Sequence, residues 1–126
     1  MRCRIIHLSC SAVIPLLWAC TSPNDVVCTD IAVPAIAVIV RDSVSGSFGG
    51  NGATATAVDG SFSDTNGFPA NYGQPENPIG LAHEREGLYA VTVTKAGYKS
   101  WSASGVRVTR DRCHVRTVTL NARLQH

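Results

Sequence analysis

The stretch LYAVTVT, residues 88–94, alternates strictly between two kinds of side chain. Tyr89, Val91 and Val93 would lie on one face of a strand, and alanine and threonine would lie on the other. Successive residues of a β-strand point to opposite faces of a sheet, so this period of two predicts a strand with one buried face. The segment therefore predicts a sheet protein whose core lies on one side of this strand.

The segments on both sides of this strand follow the same design. Short apolar or alternating runs are separated by turn signals such as Asp59-Gly60, Glu86-Gly87 and Lys95-Ala-Gly97. No segment keeps a helical period over two turns, and residues 65–78 form a long polar loop without periodicity. The sequence therefore predicts an all-β domain, built as an antiparallel sandwich or barrel. The predicted strands are 35–40, 53–58, 61–63, 79–85, 88–94, 98–103, 106–109 and 113–120.

A set of short motifs resembles a carboxypeptidase regulatory-like domain. In order along the chain they are VRDSVSG (40–46), GA (52–53), DGSF (59–62), GLYAVTV (87–93), GY (97–98) and VRV (106–108). The resemblance implies that residues 35–123 form an antiparallel, seven-stranded Greek-key β-sandwich of the prealbumin (transthyretin-like) type. Such domains accompany enzymes, receptors and surface proteins as folding or binding modules, so the family implies no peptidase activity.

Residues 1–19 have the composition of an export signal. Two arginines precede a nearly uncharged run, residues 5–18, which is shorter than the roughly 20 residues that a transmembrane helix needs. The run leads into Leu-Trp-Ala-Cys20, which resembles the bacterial lipobox. The resemblance implies a lipoprotein signal peptide over residues 1–19, a lipid-modified Cys20 and a tether over residues 20–34. Trp18 stands where the motif usually has a small residue, so ordinary signal-peptide cleavage is the alternative.

The leader also decides the expected location and charge of the mature protein. We expect an exported, membrane-anchored lipoprotein of the bacterial cell envelope, at the outer membrane and periplasm in a Gram-negative cell. Removal of residues 1–19 leaves nine basic residues against nine acidic ones, a balance that does not favour nucleic acid. The predicted partners are the membrane, through the lipid anchor, and an envelope glycan or protein.

Three cysteines remain after Cys3 and Cys10 leave with the leader. An odd number in an exported protein requires that one cysteine has a different fate from the others. Lipidation of Cys20 accounts for one, so we predict a disulfide between Cys28 and Cys113, which an oxidising compartment permits. This bond would tie the start of the mature domain to the last predicted strand.

The sequence contains no recognisable catalytic or metal-binding pattern. His83-Glu84 lacks the second histidine of a zinc motif, and Asp64-Thr-Asn66-Gly67 is only a fragment of a calcium loop. We therefore predict a non-catalytic domain without metal or cofactor, with a structural or binding role. A small hydrolase or metal-binding protein that uses His83 is the second alternative function.

Three aromatic residues are candidates for ligand binding. Phe68 and Tyr72 belong to the long polar loop, where functional residues concentrate, and could offer a sugar an aromatic face. Trp101 is the third candidate, although a place in or over the core suits it better. These residues define the first alternative function, a carbohydrate-binding module.

Overall fold

The structure of the protein, a computed structural model, describes residues 25–126. The predicted signal peptide (1–19) and the predicted lipid attachment at Cys20 lie outside the described residues. Within residues 25–126, no helix has the length and apolar character needed to cross a membrane. This part of the chain forms seven strands, β1 (Ile36–Asp42), β2 (Ala53–Asp59), β3 (Phe62–Gly67), β4 (Ile79–Leu81), β5 (Gly87–Lys95), β6 (Trp101–Val108) and β7 (Val118–Leu124).

The strands form two sheets, in the orders β4-β1-β7 and β3-β2-β5-β6. The inner faces of both sheets contribute to one core of buried, mostly aliphatic side chains. On β5, Tyr89, Val91 and Val93 are buried, as their alternation predicted, and the residues between them are exposed. β2 pairs with β5 and contributes only alanines to the buried core. This arrangement confirms the prediction of an all-β sandwich.

One strand pair differs from the antiparallel sandwich that the sequence predicted. β1 and β7 run parallel, from Ile36 opposite Val118 to Asp42 opposite Leu124, whereas the other four pairs are antiparallel. The prediction of a wholly antiparallel arrangement was therefore wrong for this pair. The reason is that β1 and β7 are the first and last strands, so no hairpin turn between them sets their relative direction.

Four strands also differ in extent from the sequence pattern. β3 continues to Gly67, so the loop predicted over residues 65–78 begins three residues later, and β4 ends at Leu81, because Ala82 and Glu84 adopt positive φ in the turn that follows.

β6 is one strand where two were predicted, because Ser104 and Gly105 form a bulge opposite Ala90 and Gly105 adopts a φ of 66°. β7 begins at Val118, so the mixed parity of residues 113–120 reflects a loop that precedes the strand.

Side chains of β3 connect the two sheets along one side of the sandwich. Asp64 Oδ2 accepts a hydrogen bond from the Ala82 N–H at 2.7 Å, and Asn66 Nδ2 donates to the Gly80 carbonyl at 3.0 Å. Gly80 belongs to β4 and Ala82 follows it, so these bonds join β3 to the neighbouring sheet without strand pairing. The residues that we considered as a calcium-loop fragment therefore have structural hydrogen-bond partners.

Asp42 organises the turn after β1. Its Oδ1 accepts hydrogen bonds from the N–H groups of Val44 and Ser45, and its Oδ2 lies within hydrogen-bond distance of Tyr98 Oη and His126 Nε2. The bond from the Ser45 N–H is the main cause that holds the pKa of Asp42 far below its ordinary value. One carboxylate thus connects the first turn of the domain with the last residue of the chain.

The predicted disulfide between Cys28 and Cys113 is present, with Cα atoms 5.3 Å apart. Cys113 lies in the loop between β6 and β7, and not in the last strand as we expected. The same loop makes a second contact, since Thr117 Oγ1 donates to the Pro34 carbonyl at 2.7 Å. The part of the predicted tether from Cys28 onward is therefore bonded to the domain.

Replacing both Cys28 and Cys113 with serine should lower the free energy of unfolding. The expected loss is at most about 4–5 kcal/mol, because the disulfide restricts the unfolded chain across a separation of 85 residues. Urea unfolding of the wild type, with and without a reducing agent, measures this loss. The reduced wild type should match the double variant, and identical unfolding midpoints for oxidised and reduced wild type would contradict the prediction.

Candidate functional site

The strand directions place the connections at two ends of the sandwich. β1 and β7 start at the end that carries the disulfide, and the paired strands alternate in direction from there. We call this the disulfide end; it holds residues 28–35, 60–61, 82–86 and 109–117, and the opposite end holds residues 43–52, 68–78 and 96–100. A strand of seven residues, such as β1, separates the two ends by about 20 Å.

Phe68 and Tyr72 form a stacked aromatic pair at the opposite end. Their ring centroids are 4.2 Å apart and their planes differ by 3°. Phe68 packs against the core, whereas Tyr72 is 39% exposed. Because Phe68 covers one face of Tyr72, only the other face could receive a ligand. Asn77 Nδ2 lies 2.7 Å from Gln74 Oε1 and 3.4 Å from Tyr72 Oη, so the Asn77 amide connects the Tyr72 hydroxyl with Gln74.

The loop that carries the aromatic pair is docked on the connection between β1 and β2. The Gly50 N–H donates to the Pro75 carbonyl at 3.2 Å, and the Gly52 N–H donates to the Phe68 carbonyl at 3.0 Å. A Cβ atom on Gly50 would lie 2.6 Å from the Pro75 oxygen, so this approach requires glycine. The aromatic pair therefore has a fixed support.

Trp101 lies apart from the other two aromatic candidates. It pairs with Val93 at the start of β6 and shares the core-facing side of the sheet with that residue. Phe68 follows β3, at the other edge of the same sheet, three strand spacings or about 14 Å away. Trp101 packs against the core. The structure therefore brings together Phe68 and Tyr72 but not all three residues.

A second group of polar side chains lies at the disulfide end. His114 Nδ1 is 2.8 Å from Glu84 Oε1, and His114 Nε2 is 2.9 Å from Thr29 Oγ1. The Val33 N–H donates to the same Glu84 oxygen at 2.8 Å, and Arg110 Nη2 lies 3.7 Å from Glu84 Oε2. We refer to Thr29, His114, Glu84 and Arg110 as the threonine–histidine cluster.

Glu84 occupies an uncommon backbone conformation in this cluster. Its φ is 54°, in the left-handed region that residues other than glycine seldom adopt. Such conformations persist where the surrounding contacts hold them, and they are enriched at functional sites. The bond from the Val33 N–H, followed by the contact with His114, holds the pKa of Glu84 below its ordinary value. Glu84 is therefore a carboxylate at neutral pH.

The Glu84 carboxylate determines which ring nitrogen of His114 carries a proton. An ionised carboxylate only accepts hydrogen bonds, so Nδ1 carries the proton and its N–H donates a hydrogen bond to Glu84. In the neutral ring Nε2 then accepts, and its partner is the Thr29 hydroxyl. An open concavity of about 360 Å³ adjoins these atoms, and its lining consists of the threonine–histidine cluster together with Asp30, Ile31, Ala32 and Cys113.

Sequence reasoning did not assemble this cluster. Thr29 and His114 each follow a disulfide cysteine, so the predicted cysteine pairing was the signal that could have placed them side by side. No sequence signal connects Glu84 with either residue. His83, the histidine that we considered for a hydrolase, is exposed and makes none of the contacts of this cluster.

Among residues 25–126, no group of three or more histidine, cysteine, aspartate and glutamate side chains is arranged to hold a metal ion. A scan against protein-family models and a search of curated proteins both find no match to the chain. The fold defines the class, an all-β sandwich of two sheets with one disulfide, and the function has to be proposed from its sites.

Gly50→Ala should release the loop 68–78, because the new methyl group would meet the Pro75 oxygen at 2.6 Å. Forcing an extra methyl group into such a contact costs about 1–3 kcal/mol. Gly49→Ala is the matched control, since a Cβ atom there has no neighbour nearer than 3.7 Å. Limited proteolysis, with cleavage sites located by mass spectrometry, should show faster cutting within residues 68–78 only in Gly50→Ala. Equal protection of the loop in the two variants would contradict this account.

Proposed function

We propose that this protein is an exported, lipid-anchored component of a bacterial cell envelope. In this proposal its domain is of the carboxypeptidase regulatory-like type and has a structural or binding role. The observation that carries the proposal is the disulfide between Cys28 and Cys113, because such bonds persist in oxidising compartments outside the cytosol. This pairing agrees with the export signal expected over residues 1–19 and leaves Cys20 for lipid attachment.

The strand order supports the Greek-key part of the proposal. β5 lies beside β2, β3 lies on the other side of β2, and β3 is bonded through Asp64 and Asn66 to the segment of β4. The order β5-β2-β3-β4 is that of a Greek key, in which a fourth strand returns to lie beside the first. Here the step from β3 to β4 crosses between the two sheets.

The contacts of the N-terminal segment support a definite orientation at the membrane. Among the residues that the structure describes, bonds to the domain begin at Cys28, and residues 21–27 would connect this point with a lipid on Cys20. Seven extended residues span at most about 25 Å, which would keep the disulfide end near the bilayer. The aromatic pair of Phe68 and Tyr72, at the opposite end, would then face away from the membrane.

Mass spectrometry of the protein purified from a bacterial membrane tests the proposal. We expect removal of residues 1–19, acyl mass on Cys20, and a Cys28–Cys113 peptide two hydrogens lighter than its reduced form. Cys20→Ser should shift the protein from the membrane to the soluble fraction while keeping the disulfide. An intact leader, or an unmodified Cys20 in membrane-bound protein, would contradict lipid anchoring.

The stacked aromatic pair favours a second candidate, a carbohydrate-binding module. Tyr72 is partly exposed, and Asn77, which is bonded to Gln74, places an amide group at its hydroxyl. An aromatic face can pack on the apolar side of a sugar ring while amides form hydrogen bonds with its hydroxyl groups. An envelope glycan is the partner that this chemistry supports.

Tyr72→Ala should weaken binding to envelope glycan at least about fivefold, since truncation of an aromatic anchor typically costs more than about 1 kcal/mol. Phe48→Ala is the matched control, because Phe48 is an equally exposed aromatic residue at the same end of the sandwich, with 41% exposure against 39% for Tyr72. Sedimentation with purified envelope glycan measures both variants. Equal binding by wild type and Tyr72→Ala, or no binding by wild type, would reject this candidate.

A further inference from the structure

We propose that the threonine–histidine cluster is a nucleophilic site that hydrolyses carboxylic esters with small acyl groups. Thr29 would be the nucleophile, His114 the general base, and Glu84 the residue that positions His114. This activity goes beyond the proposed envelope role and depends neither on lipid attachment nor on the aromatic pair.

The hydrogen-bond chain has the order that nucleophilic catalysis requires. A hydroxyl is a weak nucleophile until an adjacent base removes its proton, and the base must itself be oriented by a third group. The distances are 2.9 Å from Thr29 Oγ1 to His114 Nε2 and 2.8 Å from His114 Nδ1 to Glu84 Oε1. Both are direct hydrogen-bond distances, which is the first requirement for a general base.

The positioning carboxylate is itself fixed by several contacts. The Val33 N–H donates to Glu84 Oε1, and the Glu84 N–H donates to the Val33 carbonyl at 2.9 Å. Arg110 Nη1 lies 3.3 Å from the Glu84 carbonyl oxygen. Because Glu84 is held by its backbone and its side chain, the ring of His114 has little freedom to turn away from Thr29.

The reaction balances with water as the second substrate. Thr29 Oγ1 attacks the ester carbonyl carbon while His114 Nε2 takes the hydroxyl proton. The carbon–oxygen bond to the leaving alcohol then breaks, and His114 returns the proton to that alcohol, which leaves an acyl group on Thr29. Water attacks the acyl carbon and gives one proton to His114, which passes it to Thr29. The products are a carboxylic acid and an alcohol.

The shape and charge of the concavity indicate the substrate class. Its volume of about 360 Å³ lies at the small end of the range for ligand sites, which suits a short acyl chain. Ile31 and Ala32 contribute apolar atoms to its lining, and Asp30 and Arg110 contribute one charge of each sign. Arg110, whose guanidinium lies 3.7 Å from Glu84, is the cation of this lining that would favour the negative charge developing on the carbonyl oxygen during attack.

The competing explanation is that the same hydrogen bonds only fasten residues 28–34 to the domain. Thr29 and Thr117 both use a hydroxyl to hold this segment, through His114 and through the Pro34 carbonyl. Thr117 is not part of the concavity lining. Thr29→Val and Thr117→Val therefore each remove one hydrogen bond that holds this segment. Only Thr29→Val also removes the proposed nucleophile.

The experiment uses the full, disulfide-bonded chain, a fluorophosphonate probe and p-nitrophenyl acetate. The probe should form an oxygen–phosphorus bond at Thr29 with release of fluoride, detected by peptide mass spectrometry. Ester hydrolysis should fall about 10²-fold or more in Thr29→Val and His114→Asn. Thr117→Val should keep both the label and the activity, and Thr29→Ser should restore labelling if Thr29→Val loses it.

Thermal unfolding of each variant separates catalysis from folding. Probe labelling at position 29 that is lost in folded Thr29→Val and kept in Thr29→Ser supports the site. Absence of an adduct on folded wild type overturns the proposal and leaves these contacts as a fastening of the N-terminal segment. Hydrolysis that is equal in wild type and Thr29→Val overturns it as well. A loss of activity in Thr117→Val that matches the loss in Thr29→Val would show a structural effect and also overturn it.

Discussion

The parallel pairing of β1 with β7 is the contact on which the rest of the domain depends. It joins the first and last strands along seven residue pairs, from Ile36 with Val118 to Asp42 with Leu124. Contacts between segments so distant in the chain require a loss of conformational entropy for loop closure, which opposes their stabilising effect. The Cys28–Cys113 disulfide lies beside the start of this pair and reduces that cost in the unfolded chain. At the far end, Asp42 holds the terminal His126 close to the first turn.

The pairing of β1 with β7 also gives the domain two chemically different ends. The disulfide end collects ionisable and nucleophilic groups, since the cysteine bond places Thr29 and His114 side by side and the turn after β4 adds Glu84. The opposite end carries the docked loop with its stacked aromatic pair. A lipid at Cys20 would hold the first end near the membrane and direct the second away from it. The two proposed sites therefore lie in different surroundings, separated by the length of a strand.

Prediction from sequence succeeded where the signal is local. The alternation of Tyr89, Val91 and Val93 predicted their burial, and the sequence pattern gave β1, β2 and β5 to within two residues at each end. It failed where distant segments decide the outcome. The bulge at Ser104 and Gly105 depends on pairing with β5, and no turn signal reveals the direction of β7 relative to β1. The stacking of Phe68 on Tyr72 likewise requires the support that Gly50 gives to the loop.

The sequence by itself determined the all-β class, the core face of β5 and the pairing of Cys28 with Cys113. The alternation of side chains and the turn residues are local signals, and the cysteine pairing follows from counting, so all three can be recognised without coordinates. The tertiary structure alone decided the parallel closure of β1 on β7 and the contact of Glu84 with His114. Those residues come from segments 30 or more positions apart, and only the packing of both sheets around one core fixes which of them meet.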